Sequence, residues 1–183
     1  MRSTPEADCA VVLVAAGEGR RFGAPKASVR LGGTTILERA AMAFQSFPTR
    51  VAVVRAAELD AWRLPGWKLV PGGDRRRDSV ALGVAALAEE ARFVLVHDAA
   101  RPLVTPDVVA RVLEAARRAG AAVPAIPLAD TIKRVEGGWA RETLDRTSLV
   151  AVQTPQGFSV ELLRRALAAG ARDATDEAAL VEA

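Results

Sequence analysis

The chain has 183 residues, half of them apolar and 26% charged, the balance of one folded domain rather than of a disordered or fibrous chain. Its longest apolar run, 9–16, is far short of the roughly 20 residues a membrane span needs, and no signal-like segment opens it, so a cytoplasmic protein without a membrane partner is expected. The lone cysteine, Cys9, excludes an internal disulfide and a thiolate zinc site, and a net charge of +3 with 22 acidic residues spread among the arginines favours a phosphorylated small molecule over a nucleic acid.

In chain order, short β-branched runs at 10–16, 50–54, 68–70, 93–97 and 121–128 predict strands. Helical patterns stand between them, and this alternation predicts an α/β fold with a mainly parallel sheet covered by helices. A first helix is read over 34–46, burying Ile36, Leu37, Ala40 and Phe44. A second starts with Thr105 as N-cap and Pro106 at the first helical position, and ends at Gly120. The last, over 159–170, carries Leu162, Leu163, Ala166 and Leu167 on one stripe. Between the last two, the segment 130–152 reads as two strands around Glu136-Gly137-Gly138. A protruding hairpin cannot bury its apolar side chains alone, so it is expected to pack on a second subunit.

The first strand runs into Ala15-Ala16-Gly17-Glu18-Gly19-Arg20-Arg21-Phe22-Gly23-Ala24-Pro25-Lys26, a glycine-rich loop at a strand's carboxyl end, where ligands of open α/β sheets bind. Glycines let backbone N–H groups approach phosphate oxygens, and Arg20 and Lys26 add full positive charge. On the glycines alone, a structural turn with solvated arginines fits equally. The loop lacks the third glycine of a dinucleotide fingerprint in its proper place, no acidic residue closes Val53-Val54-Arg55, and no Gly-Lys-Ser/Thr of a Walker loop is present.

The loop resembles the nucleotide-binding signature of the sugar-nucleotidyltransferase superfamily. Gly72-Gly73-Asp74-Arg75-Arg76-Arg77-Asp78-Ser79-Val80, His97-Asp98-Ala99-Ala100-Arg101-Pro102, Asp130-Thr131-Ile132-Lys133 and Gln153-Thr154-Pro155-Gln156 follow in the order and spacing of the 2-C-methyl-D-erythritol 4-phosphate cytidylyltransferase family. The resemblance implies a Rossmann-like, doubly wound sheet with a dimerisation arm over about 130–152 in a homodimer. It implies a magnesium-dependent transfer of CMP from CTP to methylerythritol phosphate, with release of pyrophosphate.

Residue by residue, the resemblance implies that Arg20 and Lys26 hold the triphosphate and that Ala16, Gly17 and Gly19 belong to the phosphate loop. Ala15, Gly73, Asp74 and Ser79 fall on cytosine and ribose contacts, and Ala99 on the ribose. Asp98 matches the position near magnesium and the acceptor. Thr131 and Arg146 match positions that bind the acceptor in the neighbouring subunit's site, so Arg20, Lys26, Asp98 and Arg146 form the catalytic set. Arg101 supports its loop, Arg76 lies on the family's pattern with an open role, and Lys133 is a solvated arm residue. His97 is read as structural, because phosphate monoesters are already anionic near neutrality. Thr175-Asp176-Glu177 matches a family segment read as a helix cap.

The family pattern continues beyond Ala183 with a glycine-rich strand, an Asn-x-Lys-Ile/Val-Thr segment whose lysine contacts phosphate, and a final helix; Lys68 and Lys133 stand too early to replace that lysine. Three other readings share parts of the pattern: a ribitol 5-phosphate cytidylyltransferase, a non-catalytic nucleotide-binding or dimerisation module, and a nicotinamide-dependent reductase.

Overall fold

The computed structural model describes residues 6–19, 23–170 and 176–182. Strand β1 (Cys9–Ala15) is followed by a small ladder, β2 (Arg30–Leu31) with β3 (Thr34–Thr35), and helix α1 (Ile36–Met42). Next come β4 (Thr49–Val54), β5 (Lys68–Pro71), α2 (Arg76–Ala85), β6 (Phe93–Asp98), α3 (Pro106–Ala119) and β7 (Ala121–Ala122). Four arm strands follow: β8 (Ala125–Pro127), β9 (Ile132–Glu136), β10 (Trp139–Leu144) and β11 (Val150–Val152). The chain returns through β12 (Gln156–Ser159) to α4 (Val160–Ala169) and α5 (Glu177–Glu182).

The main sheet has six strands in the order β5-β4-β1-β6-β12-β7. The first four are parallel, and β12 is antiparallel to both of its neighbours. The chain thus winds outward from β1 to β4 and β5, then crosses back to β6 on the other edge of β1, which is the doubly wound topology the sequence predicts. Alternation along β1 builds two layers. Ala10 and Val12 join Val80 and Val84 of α2 and Leu163 of α4 on one face. Cys9 and Val11 meet Phe44, Val109 and Leu113 on the other, where Leu13 packs with Leu37 and Ala40. Burial pushes the Cys9 thiol up to about 12, so it stays protonated within this core.

Helix ends follow the local chemistry. Thr35 caps α1 through a capping box with Glu38, whose carboxylate accepts the Thr35 N–H at 2.7 Å. The helix is shorter than the reading over 34–46, because three-residue turns at Ala41–Phe44 and Phe44–Phe47 take over after Met42. Those turns send both phenylalanines into the core. Thr105, Pro106 and Gly120 stand at the ends of α3 as predicted, and Asp176 caps α5 by accepting the Ala179 N–H at 3.0 Å. Thr175 lies outside the described residues.

The predicted strand at 121–128 is two strands. Pro124 stands in the gap between them and has no N–H to give a ladder, and β8 leaves the main sheet to pair antiparallel with β11. That ladder is the base of the arm, and β9 and β10 form its outer hairpin across Gly137 and Gly138, both with positive φ. On the hairpin Val135 is 59% and Trp139 72% exposed.

The sequence reading missed the small β2–β3 ladder, β11, α2 and β12. Helix α2 opens on a charged first turn that reads as a solvated arginine run, and β12 is four residues long with a glycine inside. Gly83 lets α2 lie close on the sheet: a Cβ there would stand 2.5 Å from Val12 Cγ1 and 2.9 Å from Val53 Cγ2. In an open helix, Gly→Ala gains about 1 kcal/mol, whereas overpacking of this kind costs about 1–3 kcal/mol. Gly83→Ala is therefore expected to lower the melting temperature, by about 2–4 °C for each kcal/mol of net loss, and calorimetry on the purified variant checks it.

Candidate functional site

The loops after β1 and β6 diverge at the carboxyl edge of the sheet, where the winding reverses and backbone groups are left without a next strand. A cleft of about 790 Å³ opens there. Its walls come from four segments: Val14–Gly19 at the end of β1, Lys26 and Ala27 in a short 3₁₀ turn, Gly73–Arg76 with Ser79 at the start of α2, and Asp98–Arg101 at the end of β6. Ala15, Ala16, Gly17, Gly19, Lys26, Gly73, Asp74, Ser79, Asp98 and Ala99 are therefore gathered around one space.

Arg20 lies outside the described residues. Thr131 and Arg146 are not among the residues lining this chain's cleft. Thr131 stands just before β9, and Arg146 opens a 3₁₀ turn just after β10, its guanidinium donating to the Ala129 carbonyl.

Two local devices shape the walls. Gly19 has φ +65°, and a Cβ there would fall 2.0 Å from the Ala24 carbonyl oxygen, so only glycine lets the loop fold back on itself. Ser79, 2% exposed, accepts the Gly73 N–H at 3.2 Å and lies 3.2 Å from the Arg75 carbonyl, to which it can donate. Its hydroxyl thus fastens the Gly73-Asp74 turn at the start of α2.

The loop that Asp98 opens is held by a buried polar chain. His97 is fully buried and its Nε2 lies 3.1 Å from the Arg101 carbonyl, which can only accept, so Nε2 carries the proton. Its Nδ1 then accepts from Thr154 Oγ1 at 2.8 Å, and the same hydroxyl oxygen accepts the Asp98 N–H at 3.2 Å. The loop 98–101 is pinned at both ends by this relay, and the Ala99 N–H donates to Val14 across the sheet at 2.9 Å. Burial, the largest effect, pushes the His97 pKa down to about 4, so the ring is neutral at physiological pH. Its contacts are structural, as the sequence reading has it.

Arg76, whose role the sequence left open, sits between two carboxylates. Its Nε and Nη2 donate to Asp98 Oδ1 at 3.0 and 2.9 Å, and its Nη1 donates to both Glu177 oxygens at 2.6 and 2.7 Å. Burial pushes the Glu177 carboxyl above its ordinary range, and Arg76 opposes that rise. Burial also acts against the Arg76 charge, but Glu177 and then Asp98 outweigh it and hold the guanidinium pKa above its ordinary value. Sequence reading took Glu177 only as part of a cap. The 101 positions that separate it from Arg76 carry no local signal of the pairing.

Among the described residues, no group of three or more His, Cys, Asp or Glu is placed to hold a metal ion. The carboxylates on the cleft are Glu18, Asp74 and Asp98. Such a sparse oxygen set does not suit a closed metal cage. It fits magnesium, which keeps several waters and takes phosphate oxygens into its shell.

At the position after β4 where a dinucleotide fold wants an acidic residue stands Arg55, paired with Glu58 at 2.6 Å. No helix among the described residues is long and apolar enough to cross a membrane.

The family described as 2-C-methyl-D-erythritol 4-phosphate cytidylyltransferase matches residues 9–183. A relative of that name from Rhodococcus jostii is 50% identical over 183 residues, covering 94% of this chain and 80% of its own length. A "Bifunctional enzyme IspD/IspF" from Nitrobacter winogradskyi is 44% identical over 193 residues, covering 94% of this chain and 48% of its own. The crystal structure of a 2-C-methyl-D-erythritol 4-phosphate cytidylyltransferase from Thermus thermophilus superposes with a TM-score of 0.81 at 40% identity, over 94% of this chain and 82% of that one.

The neutral His97 makes stability depend on pH. In the unfolded chain the ring takes a proton near pH 6.5, in the folded chain only near pH 4, so below pH 6.5 the unfolded state binds the proton first. The stability from keeping the ring neutral is complete above about pH 6.5 and is lost as pH falls towards 4, to a total of about 3 kcal/mol. Urea titrations of wild type and His97→Gln between pH 7 and pH 4 are expected to show a steeper acid loss in wild type; parallel curves would contradict a neutral buried ring.

Proposed function

We propose, for a chain that belongs to the 2-C-methyl-D-erythritol 4-phosphate cytidylyltransferase family, that the cleft at the β1–β6 crossover binds CTP and is where the transfer takes place. The enzyme is a nucleotidyltransferase that moves CMP from CTP to 2-C-methyl-D-erythritol 4-phosphate in the methylerythritol phosphate pathway. One observation carries the site reading: three stretches far apart in sequence, the glycine-rich loop with Lys26, the start of α2 and the turn that Asp98 opens, converge on one space at the topological switch point.

In this reading, an oxygen of the acceptor's phosphate attacks the α-phosphorus of CTP in line with the leaving pyrophosphate. A new P–O bond forms as the α–β bridging bond breaks, and its electron pair leaves on pyrophosphate. Two anions must meet, so the protein's task is positioning and charge neutralisation. Backbone N–H groups of Ala16, Gly17 and Gly19 cradle the phosphates, and Lys26, with Arg20, supplies cationic charge where negative charge builds. Ala15, Gly73, Asp74, Ser79 and Ala99 form the base and ribose wall. No general base is needed, which agrees with a His97 ring already bonded on both nitrogens.

Asp98 would hold magnesium together with the nucleotide's phosphates, and the ion would add charge neutralisation there. The arm completes the site. Its exposed apolar side chains, Val135 and Trp139 among them, support packing on a second copy of the chain in a homodimer. Thr131 and Arg146 then reach the cleft of the neighbouring chain, where Arg146 presents a bidentate fork to the acceptor's phosphate.

Lys26→Ala is expected to lower turnover at least 100-fold, about 3 kcal/mol of transition-state stabilisation. Arg146→Ala is expected to raise KM for the acceptor and leave that for CTP unchanged. Mixing the two variants under exchange, assayed at an acceptor concentration too low for Arg146→Ala alone to turn over, tests the shared site. Heterodimers would carry one intact cleft each, so activity should recover to about a quarter of wild type, measured as pyrophosphate release. No recovery in a mixture shown to contain heterodimers would contradict an arm that serves its neighbour's site.

A further inference from the structure

Asp98 is oriented by Arg76 rather than by its own loop, and the way Arg76 is held is informative. A guanidinium so close to a carboxylate has two effects. Its paired N–H donors hold one oxygen of the acid in place, since Nε and Nη2 both donate to Oδ1. Its positive charge also cancels the charge that makes the acid useful to a cation. The second effect is opposed on the far side of Arg76. Glu177, with 1% of its side chain exposed, faces Nη1 with both oxygens. The three groups together keep one net negative charge, the same as an isolated Asp98.

We propose that Arg76 and Glu177 are a positioning pair for the reaction centre: Arg76 sets the direction of the Asp98 carboxylate, and buried Glu177 offsets the Arg76 charge so that Asp98 stays available to a divalent cation bound with the nucleotide. The inference rests on the reading of Asp98 given above. It also gives α5, at the far end of the described chain, a role in the site. Arg101 belongs to the same arrangement, its Nε 3.7 Å from Asp98 Oδ2, outside hydrogen-bond range. It lies on the solvent side, 43% exposed, where water screens its charge more than it screens Arg76.

A pair that only ties α5 to the sheet would predict something different from a pair that manages charge, and two variants separate them. Glu177→Gln keeps the shape and an acceptor for Nη1 but leaves Arg76 uncompensated. Mn²⁺ affinity in the presence of CTP, read by electron paramagnetic resonance, is expected to weaken about tenfold, the usual scale for residues that support a metal ligand. The double variant Arg76→Gln with Glu177→Gln removes both charges and leaves no buried charge unpaired. It is expected to regain Mn²⁺ affinity to within about threefold of wild type, while its turnover at saturating substrates stays at least tenfold down because Asp98 has lost its guide.

Unchanged affinity in Glu177→Gln, or a double variant as weak as the single, would overturn the proposal. Should Glu177→Gln fail to fold by its melting profile, the double variant decides alone: retained affinity with lost turnover supports the pair, and any other combination overturns it. Wild-type protein that binds no Mn²⁺ with CTP would remove the cytidylyltransferase site itself. Wild-type binding with indifferent variants removes only this inference.

Discussion

Strand β1 is paired along both edges and covered on both faces. Four of its residues, Ala10 to Leu13, have no exposed surface, and its backbone is committed to β4 on one side and β6 on the other. A strand in that position has no spare polar group and no room for a ligand anywhere along its length. Chemistry becomes possible only where the ladders stop. At the carboxyl end the chains leaving β1 and β6 diverge, and a cleft opens between them. The other parts of the site are arranged around that edge: the start of α2, the turn bearing Lys26, and the loop led by Asp98.

The polar groups beside the cleft show how a loop is held in place without closing the space over it. A buried histidine would ordinarily invite a catalytic role. Here both nitrogens are used to hold a backbone carbonyl and a threonine hydroxyl, and that hydroxyl in turn holds the N–H of Asp98. Desolvation keeps the ring neutral, so the relay adds no charge beside the cleft. Positive charge is supplied instead from the rim and from residues that face water, where its desolvation cost is small.

The arm obeys the opposite economy. Its two ladders, β8 with β11 and β9 with β10, stand clear of the main sheet, and hardly any of their side chains is buried within the chain. Two-stranded ribbons of this kind are marginal by themselves, and their apolar side chains find little cover within the chain.

Fold class, the parallel strands, the ends of α3 and the nucleotide signature were legible in the residues, because each depends on interactions within a few positions: alternation of apolar side chains, a threonine before a proline, glycines at a strand's end. The length of α1, the break at Pro124, the four-residue β12 and the charged opening of α2 were not, since in each a weak local preference yields to packing from distant segments. The site divides in the same way. That Gly17, Gly19, Lys26 and Asp98 belong together could be read in sequence, and they line one cleft. That Arg76 joins Asp98 to Glu177, and that the Thr154 hydroxyl bridges the Asp98 N–H and His97 Nδ1, was decided only by the tertiary structure, because ion pairs and hydrogen bonds act over a few ångströms in space and are indifferent to separation along the chain.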